Sequence, residues 1–297
     1  METMRQELIQ PDQTIRLHRC WQTTADGLIH ARYAVTPTTA GRMPLVLVHG
    51  FGVSSAYFVP LAQRLAMDFP VYVLDLPGHG PTPPPDKAPG IQDLADWVIL
   101  WMDAMGIGQA HLIGNSLGCQ TVVEAALRHP GRMERLVLIG PPNPAGRTLG
   151  YFMTRLLLGL PFMHPALYAQ ALADYARIGR HLLPELNVVI EDGLAHKLPQ
   201  LARPRLLVRG ERDTLVSADW IRCASHSLGG APILEIPRWG HAVHYNAPDQ
   251  VAPGIRAFLM ESNQDDAGQD QPAPSYSDNG LAKIRSSFAK ARATVFA

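Results

Sequence analysis

Six short runs rich in Val, Ile and Leu recur along the 297-residue chain: PLVLVHG, VYVLDLPG, AHLIGNS, RLVLIGPP, PRLLVRGERD and PILEIP. They constrain the fold more than any other feature. Most are apolar at consecutive rather than alternate positions, the pattern of a strand buried on both faces. Longer segments with helical spacing, such as DLADWVILWMDAMG and CQTVVEAALRHP, separate them. Parallel neighbours need crossover connections of that length, so the expected fold class is α/β, a mostly parallel central sheet flanked by helices. Ligands of open sheets bind beyond the carboxyl ends of the strands. The residues that follow the runs are therefore the first candidates for chemistry: His49-Gly50-Phe51-Gly52, Asp75, Ser116, Pro141-Pro142-Asn143, Asp213 and His241.

The alternation lapses in YFMTRLLLGLPFMHPALYAQALADYARIGRHLLPEL, which is helical in pattern and lies between two strand runs. A helical insertion there is expected to cap the strand ends and wall a pocket. The organisation that follows is a core formed by residues 1–140 and 204–260, with a helical cap at 141–203. Residues 261–280 contain no Val, Ile, Leu, Met, Phe or Trp and read as a disordered linker. In residues 281–297, Leu281, Ile284, Phe288 and Val295 can share a helical face beside Lys283, Arg285, Lys290 and Arg292. That amphipathic tail is a candidate contact for a partner or a membrane surface, against the simpler reading of a frayed terminus.

Composition closes off several classes. Lys+Arg and Asp+Glu balance at 26 each, so no overall field favours nucleic acid or an anionic membrane. Cys20, Cys119 and Cys223 form an odd, widely spaced set with no metal-ligand spacing, so no disulfide framework is expected and a reducing compartment fits better. The most apolar stretch, around LLLGLPFM, is broken by Gly and Pro and is too short to span a bilayer. The opening METMRQELIQPDQ has no apolar signal segment. A cytoplasmic protein with a small-molecule substrate, no nucleic acid and no stable membrane insertion is expected.

Within HLIGNSLGCQ, Ser116 stands between Gly114 and Gly118, after a strand run and before a helical one. A nucleophile on so sharp a turn needs small flanking residues, and the turn sets its hydroxyl over the N-terminus of the next helix. Serine needs a base, and His241 follows the last strand run; His244 is the nearby competitor. The imidazole needs a carboxylate, which Asp213 supplies after the preceding run. Glu211 beside it reads as solvent-facing. The oxyanion donors expected are the backbone N–H groups of Leu117 and Phe51. Gly50 and Gly52 permit close approach, and His49 is read as a prop for that loop.

Taken together, HGFG, DLPGHG, GNSLG, GERD and GHAVHYNAPDQV resemble the α/β-hydrolase fold superfamily over about residues 43–259. The resemblance implies a triad of Ser116, Asp213 and His241, an oxyanion hole at Phe51 and Leu117, and structural roles for Asp75 and His79. It implies no metal and no organic cofactor. Serine stands where haloalkane dehalogenases and soluble epoxide hydrolases carry aspartate, which argues against both. Tyr57 in SAYF and Ala242 after the histidine depart from the carbon–carbon bond hydrolases of aromatic meta-cleavage pathways. Asn246 replaces a glutamate found in many esterases.

The expected activity is hydrolysis of a carboxylic ester of a small to medium apolar acid through an acyl-enzyme. Specificity is assigned to a pocket lined by Phe152, Met153, Leu157, Phe162, Met163 and Tyr168. Arg147 and Arg155 are weaker candidates for a substrate carboxylate. Carbon–carbon, amide and thioester hydrolysis are alternatives of the same class. A non-catalytic ligand receptor on a hydrolase fold is the alternative of another class.

Overall fold

The computed structural model describes residues 15–142, 148–179, 182–202 and 205–261. The expected linker and amphipathic tail lie outside these residues, apart from Glu261, as does Arg147. Each of the six apolar runs forms a strand: β3 Leu45–Val48, β4 Val71–Leu74, β5 Ala110–Asn115, β6 Met133–Ile139, β7 Arg205–Gly210 and β8 Ile233–Ile236. Two further strands precede them, β1 His18–Thr24 and β2 Gly27–Ala34. The sheet order is β1-β2-β4-β3-β5-β6-β7-β8, with the β1–β2 and β2–β4 pairings antiparallel and the other five parallel.

Strand period decides which layer each side chain joins. Val46 and Val48 enter one apolar layer and Leu45 and Leu47 the other, because successive side chains leave a strand on opposite faces. The first layer is closed by α2 (Ile91–Ala104), α3 (Leu117–Arg128) and α8 (Ala218–Ser227), through Leu94, Val98, Trp101, Val122 and Ile221. The second is closed by α1 (Val59–Leu65) and α10 (Pro248–Met260), through Leu61, Leu65, Val251 and Ile255. A sheet covered on both faces explains why its central strands read as unbroken apolar runs.

Between β6 and β7 the chain forms α4 (Leu149–Gly159), α5 (Pro165–Ile178), α6 (Leu182–Glu191) and α7 (Leu194–Lys197). Polar ties hold this helical segment to the sheet domain. The Thr214 hydroxyl donates to the Arg155 carbonyl at 2.7 Å, and Gln120 Nε2 donates to the Val189 carbonyl at 2.9 Å. Asn246, in α9 (Val243–Asn246), accepts from the His164 N–H at 3.1 Å and donates to the Phe162 carbonyl at 3.3 Å. Asn246 thus works as a clamp, a use its sequence position did not disclose. No described helix is long and apolar enough to cross a membrane.

Candidate active site

Ser116 lies between β5 and α3 with φ 54° and ψ −117°, a backbone conformation costly for a residue with a Cβ. The surrounding glycines make the turn possible. A Cβ on Gly114 would fall 2.4 Å from the Gly118 carbonyl oxygen, and one on Gly118 would fall 2.1 Å from that of Val48. The Ser116 N–H donates to Ile139 at 3.1 Å, which ties the turn to β6. Leu117 is the first residue of α3, so its N–H has no partner within the helix.

Asp213 and His241 follow β7 and β8. His241 Nδ1 is 2.8 Å from Asp213 Oδ2. The other carboxylate oxygen accepts from the N–H groups of Leu215 at 2.8 Å and Val216 at 2.9 Å. An ionised carboxylate only accepts, so Nδ1 carries the imidazole proton and Nε2 is left as the basic nitrogen. Nε2 is buried without a hydrogen-bond partner among the described residues, and the ring shares one cavity with Ser116. Gly140, at φ 58°, backs the ring: a Cβ there would lie 2.7 Å from His241 Cε1. Sequence reasoning missed Gly140, although it directly follows β6 at the sheet's carboxyl edge.

The loop after β3 meets the serine turn closely. A Cβ on Gly50 would stand 2.9 Å from Asn115 Oδ1 and 3.1 Å from Ser116 Cβ. His49 is fully buried. Its Nε2 accepts from the Leu76 N–H at 3.0 Å, which places the ring proton on Nδ1, and Nδ1 donates to the Gly50 carbonyl at 2.9 Å. In a trans peptide the C=O and the following N–H point in opposite directions. Fixing the Gly50 carbonyl therefore fixes the direction of the Phe51 N–H. Burial, then the neighbouring His79, lowers the His49 pKa to about 3, so the ring stays neutral as both bonds require.

The other polar candidates are engaged or packed elsewhere. Asp75 accepts from the Ser55 N–H at 2.6 Å and the Ser55 hydroxyl at 2.8 Å, and meets His30 Nδ1 at 2.5 Å. His79 Nε2 is 3.0 Å from Glu185 Oε1 of α6. Glu211, although exposed, accepts from the Arg238 N–H at 2.7 Å. His244 is buried between Tyr57 and Phe58, with ring centroids 4.3 and 4.4 Å away. Burial, then the nearby His241, holds its pKa well below the ordinary value. Among the described residues no group of three or more His, Cys, Asp or Glu is arranged to hold a metal.

A cavity of about 70 Å³ lies over Ser116. Val53, Phe152, Leu156, Met163, Leu167 and Leu215 give it apolar walls, and Tyr57 and Tyr175 add phenols. Burial raises both phenols, Tyr175 to about 12, so they are neutral hydrogen-bonding groups. The expected lining is corrected at four of six positions. Phe152 and Met163 face the cavity, whereas Met153 and Leu157 are 41% and 60% exposed. They follow the inward Phe152 and Leu156 by one residue each, and one residue turns a helix by about 100°. Tyr168 is displaced from Leu167 in the same way, and its hydroxyl donates to the Leu160 carbonyl. Phe162 packs on Gly240 with the Arg212 guanidinium 5.3 Å from its ring centroid. Arg155 leans on the Tyr151 ring at 5.9 Å, outside the cavity wall.

Comparison with known proteins agrees with this architecture. A model of the alpha/beta hydrolase family matches residues 45–253, more than half of the chain. The chain belongs to the alpha/beta hydrolase family. A pimeloyl-[acyl-carrier protein] methyl ester esterase of Stenotrophomonas maltophilia is 30% identical to this hydrolase over 258 residues, covering 77% of this chain and 98% of the relative. The dihydrolipoyllysine-residue acetyltransferase component of an acetoin cleaving system of Pseudomonas putida is also 30% identical, over 244 residues and 74% of this chain. The hydrolase spans only 64% of that relative's length. Among solved structures, carboxylesterase CesB of Bacillus subtilis superposes with a TM-score of 0.69 at 23% identity, covering 83% of this chain and 92% of the other.

Proposed function

We propose that this hydrolase is a serine esterase that cleaves carboxylic esters of small to medium apolar acids. The observation that carries the reading is the placement of Ser116 and His241 in one cavity whose side-chain walls carry no charge other than any on that imidazole. An apolar acyl group gains about 25 cal/mol for each Å² of its surface removed from water there. The similarity to a methyl ester esterase supports ester chemistry, and the carbon–carbon, amide and thioester alternatives are separated from it by the test below.

In this reading Ser116 Oγ attacks the ester carbonyl as its proton passes to His241 Nε2. Asp213 holds the imidazole in the required tautomer and stabilises the imidazolium. The Phe51 and Leu117 N–H groups receive the developing oxyanion, each worth about 3 kcal/mol of barrier. The imidazolium then protonates the departing alkoxide. Water, activated by the same nitrogen, attacks the acyl-enzyme, and collapse of the second tetrahedral intermediate returns the proton to Ser116. The helical segment acts as the cap that excludes bulk water and sizes the acyl site.

The test is a p-nitrophenyl ester series from acetate to decanoate with wild type and Ser116→Ala. Wild type is expected to turn over the short and medium esters, with Ser116→Ala reduced by on the order of 10⁴-fold or more. Equal rates in the two proteins, or wild-type inactivity across the series, would contradict the reading.

A further inference from the structure

Helix α5 carries an inward stripe of Leu167, Ala171, Asp174, Tyr175 and Ile178, and a carboxylate sits in the middle of it. Asp174 is 1% exposed, where a charge is costly unless hydrogen-bonded. It accepts from Gln170 Nε2 at 2.9 Å and Arg177 Nη1 at 3.1 Å, both on its own helix. A further bond leaves the helix: the buried Ser54 hydroxyl donates to Oδ2 at 2.9 Å. The adjacent Tyr175 meets the same loop two residues earlier. A Cβ on Gly52, which has φ 74°, would fall 2.0 Å from Tyr175 Cε1, so the ring lies where any side chain at position 52 would stand.

The loop of residues 50–54 is therefore held from two sides. Below, Gly50 rests on Asn115 and Ser116, and His49 binds its carbonyl. Above, Tyr175 covers Gly52 and Asp174 holds Ser54. Phe51, whose N–H is the second oxyanion donor, lies between the two attachments, and its ring meets Phe152 and Tyr175 at 6.3 and 6.1 Å between centroids. We infer that Asp174 and Tyr175 are positioning residues for the oxyanion hole, so that seating α5 on the Gly52–Ser54 loop sets the aim of the Phe51 N–H. The inference rests on the serine-nucleophile reading above. It adds that the helical segment helps to assemble the machinery as well as enclosing the substrate, and that glycine at 52 is required by the Tyr175 ring.

A pair of ligands separates this role from ordinary packing. An apolar trifluoromethyl ketone forms a bond from Ser116 Oγ to its carbonyl carbon. The C=O π pair becomes an alkoxide in the oxyanion hole, and the hydroxyl proton moves to His241. The matching methyl ketone serves as the ground-state analogue. Asp174→Ala, Ser54→Ala and Tyr175→Ala are each expected to reduce the trifluoromethyl ketone's advantage by about tenfold to a hundredfold. The ester kcat is expected to fall in parallel, whereas Asp174→Asn and Tyr175→Phe retain most of both. Ser54→Ala deletes the bond from the loop side and guards against a helix variant that misfolds. Losses equal for both ketones, or no loss in any variant, would overturn the inference while leaving the nucleophile assignment intact. If wild type does not discriminate between the ketones, the nucleophile assignment falls and the inference with it.

Discussion

At the residue scale, the proposed site depends on groups held by specific hydrogen bonds and close backbone contacts. His49 shows how indirect such control is: a neutral ring fixes one carbonyl, and the peptide plane carries that constraint to the Phe51 N–H. His49→Ala is therefore expected to lower kcat by up to about a hundredfold with little change in KM. Phe51→Pro, which deletes the donor itself, is expected to be worse than Phe51→Ala; steady-state kinetics on one ester checks both. Gly118→Ala places a methyl 2.1 Å from the Val48 carbonyl oxygen. Overpacking against fixed backbone should destabilise the fold by about 3 kcal/mol, measured by denaturant unfolding. Ser116, Asp213 and His241 were candidates from sequence because each follows a recognisable strand run. Tyr57, Tyr175 and Gly140 were not, because their positions at the site depend on how separate segments pack.

At the scale of elements, the six parallel strands were legible because burial on both faces leaves an unmixed apolar signature. β1 is an edge strand with no buried residue, so its sequence HRCWQTT carries no such run. The Asp26-Gly27 pair, which runs from the turn into the first residue of β2, was an available hairpin signal. Helix α4 misled the pocket assignment for another reason: LGYFMTRLLLG is apolar nearly all round, so its pattern does not say which face turns inward. The contact between α6 and the loop after β4 makes a pH prediction. Burial opposes protonation of His79, but Glu185, assisted by the Pro77 carbonyl and Asp75, outweighs it and raises the pKa; His49 across the ring gap is neutral. A raised folded-state pKa means stability that is complete below the ordinary value near 6.5 and lost as pH climbs through the raised value. Glu185→Gln should therefore lose most stability relative to wild type near pH 6, and the gap should narrow in alkali. Melting curves across pH read this directly.

For the molecule as a whole, acid is the expected weakness. His49 and His111 are held to about 3 and 4, and His244 lies well below its ordinary value, in each case chiefly by burial. The unfolded chain takes up protons at these groups below about pH 6.5 while the folded protein does not, so stability falls as pH falls. Each imidazole contributes about 1.4 kcal/mol per pH unit while only its unfolded form is protonated. Denaturant titrations between pH 7 and 5 should show a decline steeper than a single group can give, with His111→Asn reducing the slope. A slope independent of pH would mean that these rings are not buried neutral.

The central claim is that Ser116 is the nucleophile of this hydrolase, and stoichiometric labelling with a fluorophosphonate followed by peptide mass mapping tests it most directly. The predicted result is a single adduct on the peptide that contains Ser116, formed with loss of fluoride and with esterase activity falling in proportion to labelling. An adduct on a different residue, or full activity in the fully labelled protein, would contradict the account.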